Sequence, residues 1–245
     1  MELDFQKPQM RNGNEAHSSN TKGKKMSGKF MYDLVRQYLP ELHPRQAHAL
    51  TDYLFLLKKW NRVYNLTSIT TAKAMVIRHI LDSVSISPFL VGKRIIDVGT
   101  GAGLPGIPLA ILNPKRKFVL LDSNNKKARF LRQAKMELQL NNVEIVHSRI
   151  EEYKNMRRFD CIISRAFSSL NEFFKSSEHL LLPRGCYLAM KGVYPLSELK
   201  AVEQHKYIVN VVEKLEVPDL TAERHVAIAT LSDQGFSFEE NSGNY

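Results

Sequence analysis

"DVGTGAGLPG", residues 97–106, places four glycines and one proline in ten positions, directly after the strand-like "RII" at 94–96. Glycine is costly to order and weakens helices and strands. Such density points to a turn whose backbone must be tight or must be approached closely. Gly101, Gly103 and Gly106 fit G-x-G-x-x-G, and Gly99, Gly101 and Gly103 fit G-x-G-x-G. Neither pattern says much without its setting. Here a strand-like run precedes it and a helical stretch follows, with Pro105 suited to a first helical turn. A second run, "KFVLLD", ends in the acidic Asp122, about 20 residues on. The three together predict a nucleotide-binding strand-to-helix turn, with the Asp122 carboxylate placed to accept from both hydroxyls of a ribose. An ordinary turn with no ligand is the alternative.

The rhythm downstream agrees. "RIIDV", "KFVLLD", "VEIVH", "FDCIISR" and "GCYLAMK" are short apolar runs, separated by helical stretches near 105–112, 124–140, 169–182 and 195–205. Alternation of this kind predicts an α/β fold: a mostly parallel, Rossmann-like sheet with helices on both faces. The last two runs, "YIVNVVEKLEV" and "RHVAIATLS", have no helix between them and are expected to pair antiparallel at one edge.

Upstream, helical periodicity covers 30–39, 45–63 and 71–86. In the third, "TAKAMVIRHILDSVSI", Ile77, Ile80, Leu81 and Val84 form an apolar stripe, while Arg78, His79, Asp82 and Ser83 form a polar one. That polar stripe either lines a ligand cleft or is a surface His79–Asp82 pair tying the helices to the sheet. Residues 1–28 are poor in apolar residues and read as a disordered tail. The chain therefore divides into a tail (1–28), a helical N-terminal region (29–92), the sheet domain (93–235) and a short C-terminal tail (236–245).

Composition narrows the partners. There are 35 Lys and Arg against 25 Asp and Glu, a formal charge of +10, which favours polyanions such as nucleic acid. The helix after Asp122 carries basic residues at 126, 127, 129, 132 and 135, making Lys126 and Arg129 candidate phosphate contacts. No apolar run approaches the roughly 18 residues of a membrane span, and no secretory segment is visible. The two cysteines, Cys161 and Cys186, fall inside strand-like runs and read as small core residues. Nothing is spaced for a metal. The expected setting is the cytoplasm.

Two features choose the ligand and the reaction. Asp97 stands two residues before the first glycine. A carboxylate there repels a pyrophosphate but attracts an ammonium and a sulfonium, which favours S-adenosylmethionine over a nicotinamide dinucleotide. At the end of the fourth strand, "ISRAF" (163–167) has neither the N-P-P-Y pattern of exocyclic-amine methylation nor a Pro-Cys nucleophile. Arg165 stands there instead, and a guanidinium cannot serve as a general base. It suits an acceptor with no proton to remove, such as guanine N7, methylated by direct displacement; a surface salt bridge is its alternative role. Lys191, ending the fifth strand, is a further candidate RNA contact. A nicotinamide-dependent oxidoreductase and a non-catalytic RNA-binding protein remain the rival readings.

The stretches "KKWNRVYNLTSI", "RHILDS", "DVGTGAGLPGIPLA", "LLDS", "KKARFLRQ", "SRIEE", "FDCIISRAFSSL", "MKG" and "ERH" occur in this order over roughly residues 34–232. Together they resemble the 16S ribosomal RNA methyltransferases called small subunit methyltransferase G, or glucose-inhibited division protein B. The resemblance implies a class I methyltransferase fold, with seven strands and a reversed last strand, behind a helical N-terminal region. It implies methylation of N7 of guanine 527 by S-adenosylmethionine, on 16S rRNA or the small ribosomal subunit; the chain itself is expected to be a monomer. It also implies cofactor contacts at Gly99, Leu104, Ile150, Glu151 and Arg165, beside Gly101, Gly103, Asp97 and Asp122 from the turn itself.

Overall fold

A computed structural model describes residues 20–155, 157–167, 169–202 and 206–232. Most of the predicted N-terminal tail and the whole of the C-terminal one lie outside these residues.

Helix α1 (Asn20–Tyr38) begins ten residues before the expected start. Extending an existing helix costs far less than nucleating one, so weak helix formers upstream of residue 30 can join it. Helix α2 (Pro44–Tyr64) opens with Pro44 at its first position and a capping box between His43 and Gln46. Ala47, Leu50, Leu54 and Leu57 are buried at the predicted spacing. Trp60 stacks on Tyr64 and stands edge-on to Phe130, as a core residue does.

The third segment is not one regular helix. It runs as α3 (Ala72–Met75), a π-helical turn (Val76–Leu81) and α4 (Asp82–Val84). The Asp82 amide reaches back five residues to the Ile77 carbonyl. Such wide turns occur often at functional sites, and this one contains His79 and is capped by Asp82.

Seven strands form one sheet: β1 (Arg94–Val98), β2 (Lys117–Asp122), β3 (Val143–His147), β4 (Phe159–Ser164), β5 (Leu181–Lys191), β6 (Tyr207–Lys214) and β7 (His225–Leu231). Their order is β3-β2-β1-β4-β5-β7-β6. The first five run parallel. Strand β7 is antiparallel to both β5 and β6, inserted between them, with β6 at the edge.

Helices α5 (Gly106–Leu112), α6 (Asn125–Glu137), α7 (Leu170–Ser177) and α8 (Leu196–Ala201) fill the connections. The central strands are buried on both faces, as a helix-covered parallel sheet requires. One apolar core joins the sheet to α1, α2 and the third segment; the other centres on Phe173, Phe174, Tyr187 and Tyr207. Cys161 and Cys186 are register partners on β4 and β5, buried and free, with sulfurs 3.7 Å apart.

The chain leaves β1 toward β2 and β3 on one side, and returns to β4 and β5 on the other. The switch point therefore lies between the carboxyl ends of β1 and β4, where open α/β sheets bind ligands. The glycine turn follows β1 and Arg165 follows β4.

Candidate active site

The turn after β1 holds Gly99, Gly101 and Gly103 at φ of 68°, 63° and 88°, a region other residues enter only with strain. The amides of Gly99 and Thr100 both donate to the Leu121 carbonyl, at 2.9 and 3.1 Å, and so tie the turn to the end of β2. A β-carbon on Gly99 would lie 2.9 Å from the Ala166 side chain, against the end of β4. One on Gly101 would meet nothing nearer than 4.0 Å, so that face of the backbone is open to a ligand. The Leu104 amide donates to the Thr100 carbonyl, while its side chain is buried in the core. From α2, the fully buried Tyr53 donates its hydroxyl to the Ala102 carbonyl at 2.7 Å. Its place in an apolar helical stripe gave no sign of this brace.

Asp97 is fully buried. Its Oδ2 accepts from the Thr100 hydroxyl at 2.6 Å and from the Gly106 amide at 2.8 Å. Its Oδ1 has no partner. Burial pushes its pKa up to about 6, against the opposing pull of those hydrogen bonds. The sequence suggested a residue facing the ligand; the structure makes it the pin joining both ends of the turn.

Asp122 is equally occupied. It accepts from the Gly101 amide on one oxygen and from the Asn124 amide on the other, both at 2.8 Å, with the Lys127 ammonium 3.6 Å away. Beyond β3, Ile150 packs in the core cluster that contains Val98 and Leu121, and Glu151 is exposed.

These groups fit the polar end and ribose of S-adenosylmethionine. An unpartnered carboxylate oxygen lies beneath the turn, Gly101 is open on one side, and a carboxylate has about four acceptor positions, of which Asp122 uses two on backbone.

Beyond the ends of β4 and β5 lies a cavity of about 440 Å³, walled by Arg78, His79, Asp82, Arg165, Lys191 and Arg224 among others. Asp82 is only 1% exposed. Its Oδ2 accepts from Arg165 Nη1 at 2.9 Å and its Oδ1 from Arg224 Nε at 2.7 Å. Arg165 also donates to the Arg78 carbonyl at 3.3 Å. His79 is buried, its Nε2 3.0 Å from the Thr67 hydroxyl. Burial, and then the charge of Arg165, lowers its pKa to about 4.

Three expectations change accordingly. His79 and Asp82 are not a surface pair: both are buried, and the carboxylate is bonded by two guanidiniums instead. Arg165 does form a salt bridge, but to a buried anion in the cavity wall. The Lys191 ammonium reaches the rim, where Glu198 Oε2 at 2.7 Å and the Phe167 carbonyl at 3.1 Å hold it, so it is no free phosphate hook. Lys126 and Arg129 are exposed on α6, outside the cavity walls. Arg224, seen in the sequence only as part of "ERH", joins Arg165 on Asp82 in the cavity wall and had no local signal of its own.

Among solved structures, the sheet and its helices match a glycopeptide N-methyltransferase, MtfA, complexed with S-adenosylmethionine: TM-score 0.54 at 10% identity, over 62% of this chain and 86% of that one. The TYW2 protein of P. horikoshii, in complex with MeSAdo, matches with a TM-score of 0.50 at 11% identity, over 62% of each chain. The fold, with its glycine turn, is that of a class I S-adenosylmethionine-dependent methyltransferase.

A family model described as rRNA small subunit methyltransferase G matches residues 46–227. The ribosomal RNA small subunit methyltransferase G of Nitrosococcus oceani is 53% identical over 186 residues, 76% of this chain and 86% of the relative. That of Psychromonas ingrahamii is 47% identical over 191 residues, 78% and 92% of the two chains. The chain belongs to the rRNA small subunit methyltransferase G family. The nicotinamide and non-catalytic alternatives fall away.

Proposed function

We propose that the chain transfers the methyl group of S-adenosylmethionine to N7 of guanine 527 in 16S rRNA, presented by the small ribosomal subunit or its RNA. One observation carries the choice of atom: among the described residues, the cavity wall presents no carboxylate or imidazole free of a protein partner to take a proton. Its one lining carboxylate, Asp82, has both oxygens engaged by arginines. Its one imidazole, His79, is buried, with Nε2 taken up by the Thr67 hydroxyl at 3.0 Å. Guanine N7 presents an in-plane lone pair with no hydrogen, so it needs no base.

The cofactor supplies a methyl group made electrophilic by its sulfonium. The chain's residues hold and orient. The Gly99–Gly103 backbone, Asp97 Oδ1 and Asp122 hold the methionine and ribose portions, with Leu104, Ile150 and Glu151 around the rest. Arg165, fixed by Asp82, contacts the base edge or its phosphate, with Arg224 beside it. Placement of the two reactants is then the main source of rate. The chain is proposed to act as a monomer, and a ribosomal substrate fits the cytoplasm.

The test is incubation with labelled cofactor and small subunits lacking the modification, followed by mapping of the labelled nucleotide. Label at N7 of this one guanine supports the proposal; label on an exocyclic amine or a ring carbon overturns it.

A further inference from the structure

After Lys191 the chain leaves β5 through Gly192, which lines the cavity, and passes Val193, Tyr194 and Pro195 into α8. Val193 is 70% exposed, Tyr194 49% and Leu196 59%. Of the seven large exposed apolar side chains among the described residues, three thus fall within four positions beside the cavity. Such a cluster calls for a partner.

The Tyr194 ring stands edge-on to His225, with centroids 5.7 Å apart and planes at 87°. His225 is buried and is the register partner of Lys191. One side of the ring is thereby fixed while half of the side chain stays in solvent. Arg224, the residue before His225, turns inward to Asp82. The exposed aromatic therefore adjoins a cavity wall that carries Arg78, Arg165 and Arg224 against the single anion Asp82.

A half-exposed aromatic ring beside a cluster of guanidiniums matches unpaired nucleic acid, whose bases stack on aromatics while cations follow the phosphates. We propose that Gly192–Leu196 is a stacking platform for an unpaired nucleotide flanking the one methylated, with that base lying on the Tyr194 ring. This rests on RNA being the substrate, and extends it to the neighbouring nucleotide.

The test is direct binding of a fluorescently labelled single-stranded RNA oligonucleotide and of unmethylated small subunits, with Tyr194→Ala and Tyr194→Phe in the full chain. Tyr194→Ala should raise the Kd for RNA roughly tenfold, within the range seen for loss of one stacked base. Cofactor affinity and melting temperature should stay put, and Tyr194→Phe should bind as the wild type does. The slope of log Kd against log salt should also be unchanged in Tyr194→Ala, because no phosphate contact is lost. Wild-type RNA affinity in Tyr194→Ala, an equal loss in Tyr194→Phe, or a shallower salt slope would each overturn the platform. Binding is read without methyl transfer, so absence of label in the subunit would count against the proposed reaction alone.

Discussion

Arg165 and Asp82 lie 83 positions apart in the chain and 2.9 Å apart in space. The contact joins the end of β4 to the helical region in front of the sheet, and Arg224 completes it from the start of β7. A buried carboxylate stripped of its partners is strongly destabilising, by about 3–5 kcal/mol. Here either arginine can still serve alone. Arg165→Ala and Arg224→Ala should therefore each cost little stability, while the double variant costs several kcal/mol more than their sum. Urea unfolding of the three variants measures this; simple additivity would mean that Asp82 does not depend on the pair. Arg165→Ala should remain folded yet lose methyl transfer by at least about tenfold.

The same contact shows what sequence can and cannot reveal. The β-strand runs, the glycine turn and Asp122 were legible because their signals are local: period, turn chemistry, and a spacing fixed by the strand-to-helix unit. The wide turn at Val76–Leu81 was not, because its residues have ordinary helical periodicity. Arg224 was not, because its partner lies 142 positions earlier. Asp97 was half legible. Its charge beside a ligand turn could be argued, but its bonds to Thr100 and Gly106 depend on how the turn closes.

Gly99 and Gly101 separate strain from ligand contact. Both have positive φ, so alanine at either should cost about 1–2 kcal/mol. Only at Gly99 does the new β-carbon also press on Ala166, at 2.9 Å. Gly99→Ala should be the less stable variant in thermal melts. Gly101→Ala, which meets no protein atom within 4.0 Å, should nonetheless weaken cofactor binding tenfold or more by calorimetry. Unchanged affinity in Gly101→Ala would place the ligand away from that face.

His79 should make stability depend on pH. Its pKa is about 4 in the folded chain and about 6.5 unfolded. The unfolded chain thus binds more protons between those values. The contribution is fully present above pH 6.5 and lost as pH falls toward 4, amounting to about 3 kcal/mol. His79→Gln should flatten this part of the profile. Parallel wild-type and variant curves from pH 7 to pH 4 would show that the imidazole is not held neutral.

Asp97 acts in the opposite direction, and on the cofactor. Its folded pKa of about 6 lies above the unfolded carboxylate value near 4. Folding with the charge buried therefore costs stability that grows from pH 4 to pH 6 and is constant above. The ammonium of S-adenosylmethionine, placed against the unpartnered Oδ1, would offset that cost by favouring the charged form. Cofactor affinity should then rise up to tenfold per pH unit below 6 and level off above it. Asp97→Asn keeps an acceptor for Thr100 and Gly106 but carries no charge, so its affinity should be lower at pH 8 and flat with pH. Calorimetric titrations of both proteins from pH 5 to pH 8 decide it. A wild-type affinity indifferent to pH would leave Asp97 as the pin of the turn alone, and the ammonium would have to be held elsewhere.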